Sequence, residues 1–153
     1  MKVINLKDCP WGIDTVARFH QEQWQALYPN WTLQEFMNDM ELALLSDLVP
    51  QTWVLSDNKR LLGSVSLLEC DLEGYEHYSP WLADVYVKGS HRGHGYGKWL
   101  IEAAMDFARS KKLLPLYLYT PDHQRYYEKM GWNIVEVVNY QGKQIVIMVF
   151  DGF

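Results

Sequence analysis

A glycine-rich segment joins a predicted strand to a predicted amphipathic helix: Val85-Tyr86-Val87-Lys88-Gly89-Ser90-His91-Arg92-Gly93-His94-Gly95-Tyr96-Gly97-Lys98. Glycines in such a turn let the backbone approach a ligand closely, and the helix N-terminus offers unpaired N–H groups at the positive end of its dipole. With Arg92 and Lys98 beside the glycines, the segment predicts a phosphate or pyrophosphate site. It is not a P-loop, because Trp99 follows Lys98 and Arg92 stands where the first glycine belongs. The glycine spacing also departs from the dinucleotide-binding pattern.

The apolar pattern on either side of this segment predicts alternating strands and helices. Strands are predicted at 2–6, 51–55, 61–68, 81–87, 114–119, 133–138 and 143–150. Helices are predicted at 13–28, from Leu33 after a capping box of Thr32 and Glu35, and directly after the glycines. A last helix is expected to start at Pro121 with Thr120 as its N-cap and to end near Gly131.

The resulting element order is β-α-α-β-β-β-α-β-α-β-β. Only the unit from Trp81 to Tyr119 reads strand, helix, strand, so it predicts one central parallel pair inside a mostly antiparallel sheet. The sequence shows no linker or repeat. It therefore predicts a single mixed α/β (α+β) domain over residues 1–153.

Composition excludes several classes of function. The chain has 153 residues, of which 48% are hydrophobic, and no apolar run is long enough to span a membrane. A net charge of -5 argues against a nucleic-acid partner, which needs clustered Lys and Arg. Two cysteines without a CxxC spacing and a start without an apolar signal core favour a cytoplasmic location.

Two motifs match one known family. Val87, Arg92, Gly95 and Gly97 fit an Arg-x-x-Gly-x-Gly loop preceded by a valine, and residues 127–132 fit a Tyr-x-x-x-Gly-Phe ending with Trp for Phe. Both motifs, and the element order, resemble the GNAT family of N-acetyltransferases, and the segment 79–83 looks like a bacterial subgroup. The resemblance covers essentially the whole chain. It implies the GNAT fold, acetyl-CoA as cosubstrate, no metal, and a possible homodimer.

By this resemblance, N–H groups from Arg92 to Lys98 hold the pyrophosphate of coenzyme A. The strand 85–87 would pair with the pantetheine arm, and the Val87 N–H would polarise the thioester carbonyl. The residues implied at the cofactor are Val85, Tyr86, Val87, Arg92, Gly93, His94, Gly95, Tyr96, Gly97, Lys98 and His123. Two of them have an alternative: His123 as an exposed residue, and Tyr96 as core under the loop.

By the same resemblance, Tyr127 occupies the position of the family's general acid, which donates a proton or hydrogen bond to the leaving thiolate. A thiol has a pKa of about 8.5 and a tyrosine about 10, so one hydrogen bond or proton suffices. The alternative is a helical tyrosine that only packs its ring.

Asp84 and Glu69 are the candidate bases, each with a pKa expected to be raised by burial. Asp84 is equally interpreted as a structural carboxylate bonded to backbone, and a solvated strand end is favoured for Glu69.

The sequence thus predicts an acetyl-CoA-dependent N-acetyltransferase that acts on a primary amine by direct attack in a ternary complex. The acceptor, a small molecule or a peptide, is expected beside the first two helices and the loop 71–80. A protein N-terminal or lysine acetyltransferase and a non-catalytic CoA-binding sensor are the alternatives; Tyr127 argues against the sensor. No metal site is predicted, since His91 and His94 lack further ligands at a suitable spacing. The acidic net charge favours cationic acceptors.

Overall fold

The computed structural model describes residues 1–152. Its strands are β1 (Lys2–Asn5), β2 (Gln51–Asp57), β3 (Arg60–Leu68), β4 (Trp81–Val87), β5 (Leu116–Thr120), β6 (Asn133–Tyr140) and β7 (Lys143–Phe150). Its helices are α1 (Ile13–Trp24), α2 (Leu33–Leu45), α3 (Tyr96–Ser110) and α4 (Gln124–Glu128). The strands form one sheet in the order β1-β2-β3-β4-β5-β7-β6, in which only β4 and β5 are parallel. The predicted element order and the central parallel pair are confirmed.

Helices cover both faces of the sheet. On one face, α3 buries Leu100, Ile101, Ala104, Met105 and Ala108 against strand residues such as Leu82 and Leu118. On the other face, α1 and α2 pack Val16, Phe19 and Met40 against Val54 and Tyr86. Each of these helices therefore buries one apolar stripe, and the sheet is apolar on both faces, as a layered α/β arrangement requires.

Local signals set the start of α2. Thr32 accepts a hydrogen bond from the Glu35 N–H through its side chain, 3.3 Å away, and Trp31 contacts Phe36 with ring centroids 5.1 Å apart. Both contacts are the ones expected of an N-cap with a hydrophobic staple. The position of α2 matters to the site because its Met40 packs in the same cluster as Tyr86 of β4.

Several predicted boundaries differ from the structure. The first helix ends at Trp24 rather than at residue 28, and its last residues continue as a short 3₁₀ turn. The last helix starts at Gln124 rather than Pro121, because the Thr120 hydroxyl accepts from the His123 N–H at 3.0 Å and closes a turn first. β5 begins at Leu116 rather than at residue 114. Within residues 1–152, no helix has the length and apolar character needed to cross a bilayer.

β4 carries a bulge at its centre. Ala83 pairs with Ser66 and Tyr86 pairs with Ser64, so two residues of β4 oppose the single Val65 of β3. Val85 joins the core on the α3 side while Tyr86 contacts α1, so the alternation restarts one residue late. Such an extra residue bends the strand and redirects side chains. The residue it redirects is Asp84.

Candidate active site

The glycine-rich turn leads into α3 without a side-chain cap. Gly95 is the N-cap residue, with φ 82°, and no side chain of residues 1–152 caps the first turn of the helix. The N–H groups of Tyr96, Gly97 and Lys98 therefore lack intrahelical partners. A Cβ at Gly93 or Gly95 would meet nothing within 4 Å, so this side of the turn is open. The turn fits an anionic group of the pyrophosphate type.

Val87 presents its backbone polar groups away from β3. The Lys88 N–H donates to the Leu62 carbonyl at 2.8 Å, and alternation in an antiparallel pair then turns the N–H and C=O of Val87 to the other side. Consistent with this, the Val87 carbonyl accepts a hydrogen bond from Arg92 Nε at 2.7 Å. Arg92 also places its guanidinium carbon 5.6 Å from the centre of the Tyr86 ring. Arg92 thus connects the glycine-rich turn to the end of β4 through these two contacts.

β4 and β5 separate directly after their first paired position. In the described part of the chain their only paired residues are Trp81 and Tyr117, so both strands diverge toward their carboxyl ends. The Val87 N–H faces this gap. A cleft of about 440 Å³ lies at the end of β5, lined by residues 121–126. An extended ligand arm can therefore enter between the strands and use their free backbone groups.

The bulge turns Asp84 toward the α1–α2 face. Asp84 has φ 57°, a left-handed conformation that costs about 1–2 kcal/mol in a residue with a Cβ. Burial raises the pKa of its carboxyl from the ordinary value of 3.8 to about 6. The expected rise in pKa is confirmed. The carboxylate accepts no hydrogen bond from residues 1–152, so the structural carboxylate bonded to backbone is not what is observed. Strain and an unpaired buried charge at one residue are typical of functional sites.

Two further carboxylates share this environment. Asp71 in the loop after β3 has its pKa raised well above the usual range by burial and then by the charge of Asp84. Asp39 on α2 has a raised pKa for the same two reasons. The pKa of Tyr119 is also raised, first by burial and then by Asp71 and Asp84. Burial and then Asp84 likewise raise the pKa of Tyr28, so the charge of Asp84 acts on two carboxylates and two tyrosines.

Tyr127 lies on α4, on the opposite side of the gap. Its ring packs against the α3-side core with a centroid distance of 6.1 Å to Trp132. Burial, and secondarily Tyr126, raises the pKa of Tyr127 to about 12. The hydroxyl thus stays protonated at neutral pH and can donate a hydrogen bond. The positive φ of Gly131, 97°, and the bond from the Trp132 N–H to the Tyr127 carbonyl end this helix as predicted.

Four predicted site residues differ in how far they are buried. Glu69 is exposed directly after β3, so the favoured interpretation as a solvated strand end agrees with the structure, and the burial expected of a base there is not found. The side chain of Tyr86 is buried against α1, stacked on Phe19 at 4.8 Å, so only its backbone can reach the gap. His94 is exposed, and His123 is exposed beside Asp122 with a nitrogen–oxygen distance of 2.6 Å. Among residues 1–152, no three His, Cys, Asp or Glu side chains are grouped to hold a metal.

Sequence reasoning missed Asp39, Asp71, Tyr119 and Tyr126. The Tyr126 hydroxyl lies 3.6 Å from the position that a Cβ of residue 97 would occupy, so this tyrosine borders the start of α3. The doubled tyrosine at 126–127 is a signal that could have marked it. The carboxylates come from separate elements, and nothing in their local sequence distinguishes them from solvated surface residues.

Comparison with known proteins agrees with this geometry. A family model described as "Acetyltransferase (GNAT) family" matches residues 14–132. No curated protein matches the chain. Many solved structures share its fold, and three of them are described here. An aminoglycoside 6'-N-acetyltransferase complexed with coenzyme A has a TM-score of 0.79 at 17% identity, with 99% of this chain and 97% of that chain covered.

The aminoglycoside 6'-N-acetyltransferase from Enterococcus faecium has a TM-score of 0.77 at 18% identity, over 99% of this chain and 97% of that one. A spermidine N-acetyltransferase chimera from Vibrio cholerae and hSSAT has a TM-score of 0.71 at 20% identity, over 99% and 96%. At these identities the likeness concerns the fold. With the family model covering most of the sequence, the chain belongs to the GNAT family of acetyltransferases.

Proposed function

We propose that this protein transfers the acetyl group of acetyl-CoA to a primary amine by direct attack in a ternary complex. The observation that carries the proposal is the gap between β4 and β5. The free N–H of Val87 points into this gap, and the uncapped start of α3 at Gly95 lies at its edge. Asp84 and Tyr127 lie on opposite sides of the sheet at this gap. When bound, acetyl-CoA supplies an activated acyl group.

The residues of the gap divide the work of binding and orienting. The N–H groups of Tyr96, Gly97 and Lys98 bind the pyrophosphate at the positive end of the α3 dipole. The Val87 N–H donates to the thioester carbonyl oxygen, where negative charge develops during attack. Arg92 donates a hydrogen bond to the Val87 carbonyl, in the peptide group that follows, and this bond restrains the end of β4 that carries the Val87 N–H.

Two side chains handle protons. Asp84 removes a proton from the acceptor ammonium, so that a neutral amine attacks the carbonyl carbon as the carbon–sulfur bond breaks. Its pKa of about 6 leaves it ionised at neutral pH, yet closer to that pH than an ordinary carboxylate. Tyr127 donates a hydrogen bond to the leaving sulfur. With a pKa of about 12, the phenol stabilises the thiolate by that bond more readily than by complete proton transfer.

The acceptor is proposed to be a small-molecule amine. The structural neighbours named above, for aminoglycosides and for spermidine, are named after small amines. A peptide amine is the alternative outcome of an acceptor screen. A single domain over residues 1–153 and a homodimer stay predictions, and sedimentation would test the second.

Calorimetry and a thiol-release assay test the proposed function. We expect acetyl-CoA and CoA to bind with micromolar affinity, and thiol release to depend on added amine. Tyr127→Phe keeps the ring that packs on Trp132, so its melting temperature should match the wild type while kcat falls. Full kcat in that variant would remove Tyr127 as the proton donor. Binding of acetyl-CoA without transfer to any small amine or peptide would favour a sensor.

A further inference from the structure

The loop of residues 69–80 crosses the joint between β4 and β5 on the face of the sheet opposite α3. It begins at the end of β3 and ends at the start of β4. Between these ends, Leu72 packs in one cluster with Ile145 and Ile147 of β7, which lies beyond the joint. The loop is therefore attached to strands on both sides of the joint.

Tyr78 makes the attachment to the far strands. Its hydroxyl donates a hydrogen bond to the carboxylate of Glu136 on β6. Its ring stacks on Tyr117 of β5, with a centroid distance of 4.6 Å and an interplanar angle of 19°. The bond to Glu136 raises the pKa of Tyr78 to about 12, so the hydroxyl keeps the proton that it donates at neutral pH. A carboxylate acceptor makes this bond stronger than one between neutral groups.

The same loop ends at the only paired position between β4 and β5 in residues 1–152. The Tyr117 N–H donates to the Pro80 carbonyl at 2.9 Å. The buried Trp81 donates from its indole N–H back to the Tyr78 carbonyl at 2.6 Å. These contacts form one bonded group at the point from which the two strands diverge. Loss of the anchor at Tyr78 would loosen this point, because a single pairing fixes it.

The groups assigned to acetyl transfer are divided between the two sides of the joint. Asp84 and the Val87 N–H belong to β4, whereas Tyr127 belongs to α4, which connects β5 to β6. The position of Tyr127 relative to Val87 therefore depends on how β4 and β5 are held at their joint. A misplacement of about 1 Å between reacting groups can lower a rate by about 100-fold.

We propose that Tyr78 and Glu136 form a clasp that fixes the spacing of β4 and β5, and that Tyr78 is a positioning residue for acetyl transfer. This inference rests on the proposed function. The clasp acts through Tyr117 and Pro80 on the strands that carry the reacting groups. Because the pyrophosphate is bound at the start of α3, opening the clasp affects the alignment of the reacting groups more than the binding of acetyl-CoA.

Hydrogen exchange of the full-length protein tests the clasp without a substrate. In Tyr78→Phe the ring can still stack on Tyr117 while the bond to Glu136 is lost. The amides of residues 72–80 and of Tyr117 should then exchange about 5-fold faster or more. Glu136→Leu should have the same effect, and Glu136→Gln, whose amide oxygen can still accept, should keep most of the protection. Unchanged exchange in Tyr78→Phe would refute the clasp.

The matched control is Tyr140→Phe. Tyr140 lies on β6 and belongs to the same aromatic cluster as Tyr78, but its hydroxyl has no hydrogen-bond partner among residues 1–152. Both substitutions remove one phenol oxygen and keep the ring. Exchange and kcat in Tyr140→Phe should therefore match the wild type, and a loss equal to that in Tyr78→Phe would contradict a specific role of the bond to Glu136.

Steady-state kinetics test the positioning role. The acceptor is whichever of butylamine, spermidine and glycinamide the wild type acetylates fastest. Tyr78→Phe should lower kcat about 10-fold and change the KM for acetyl-CoA by less than about 2-fold. Glu136→Gln should keep most of kcat. The double variant of Tyr78→Phe with Glu136→Leu should be no slower than either single variant, because each removes the same bond.

The outcomes separate the clasp from the proposed function. Faster exchange in Tyr78→Phe with an unchanged kcat would overturn the positioning role while acetyl transfer stands. Additive losses of kcat in the double variant would show that the two residues act separately, which contradicts the clasp. Absence of thiol release by the wild type with every amine would overturn acetyl transfer. Hydrogen exchange then still decides the clasp, because it requires no substrate.

Discussion

Replacing Asp84 by asparagine should make the protein more stable and less active at the same time. The folded protein raises the pKa of Asp84 from 3.8 to about 6 because the carboxylate is buried. Folding therefore favours the protonated carboxyl, and stability falls as the pH rises from about 4 to 6, where the folded state still holds a proton that the unfolded chain has released. Above that window the ionised group costs the fold about 3 kcal/mol.

An asparagine side chain at this position would have nearly the same shape without the charge, so Asp84→Asn should regain part of this free energy at pH 8. We expect the free energy of unfolding to increase by about 2 kcal/mol at pH 8 and by little at pH 4, where the wild-type carboxyl is already protonated. The charge of Asp84 contributes to the raised pKa values of Asp39, Asp71, Tyr28 and Tyr119. Relief of repulsion with the two carboxylates acts in the same direction.

Urea denaturation at both pH values measures the stability change, with Asp47→Asn as the exposed control. Initial rates with a primary amine should fall by about 100-fold or more, as for the loss of a general base. The wild-type kcat/KM should increase with pH through about 6 as Asp84 ionises. If Asp84→Asn destabilised the protein equally at both pH values, the cost assigned to the buried carboxylate would be refuted. An unchanged rate would refute the role of Asp84 as general base.

Three other substitutions test the scaffold of the site. Gly95→Ala forces a residue with a Cβ into φ 82°, so it should cost about 1–2 kcal/mol and weaken CoA binding in calorimetry; Gly89→Ala, which has open space and no positive φ, should change neither. Gly63→Ala places its Cβ 2.6 Å from a backbone carbonyl oxygen of the adjacent strand and should lower the free energy of unfolding by about 1–3 kcal/mol. Thr52→Val removes the partner of the buried Ser66 hydroxyl, 2.9 Å away, and should cost about 1–3 kcal/mol in urea denaturation, whereas an unchanged midpoint would show that water reaches Ser66.

Features that depend on neighbouring residues were predictable from the sequence. The cap formed by Thr32 and the buried stripe of α3 follow from spacing along the chain, and both are observed. The glycine-rich turn also follows, because positive φ at Gly93 and Gly95 is a property of the residue itself. These signals sufficed for the fold and for one half of the site, the half expected to bind the cosubstrate.

The other half depends on contacts between distant residues. The bulge in β4 could not be predicted from a glycine, because the residue with the left-handed conformation is Asp84. Asp39 and Asp71 look like ordinary surface carboxylates in the sequence, and their electrostatic interaction with Asp84 arises only from the fold. The delayed start of α4 has the same origin: a single hydrogen bond from the His123 N–H to Thr120 outweighs the preference of proline for the first helical turn.

The single paired position between β4 and β5 divides the sheet into two hydrogen-bonded halves, β1–β4 and β5–β7. Across that joint the halves are held together mainly by the side chains packed on α3 rather than by a backbone ladder. In hydrogen-exchange terms, the amides of each half can open as a separate cooperative unit. A molecule bound between β4 and β5 would act as a missing strand, and it should slow exchange in both halves together.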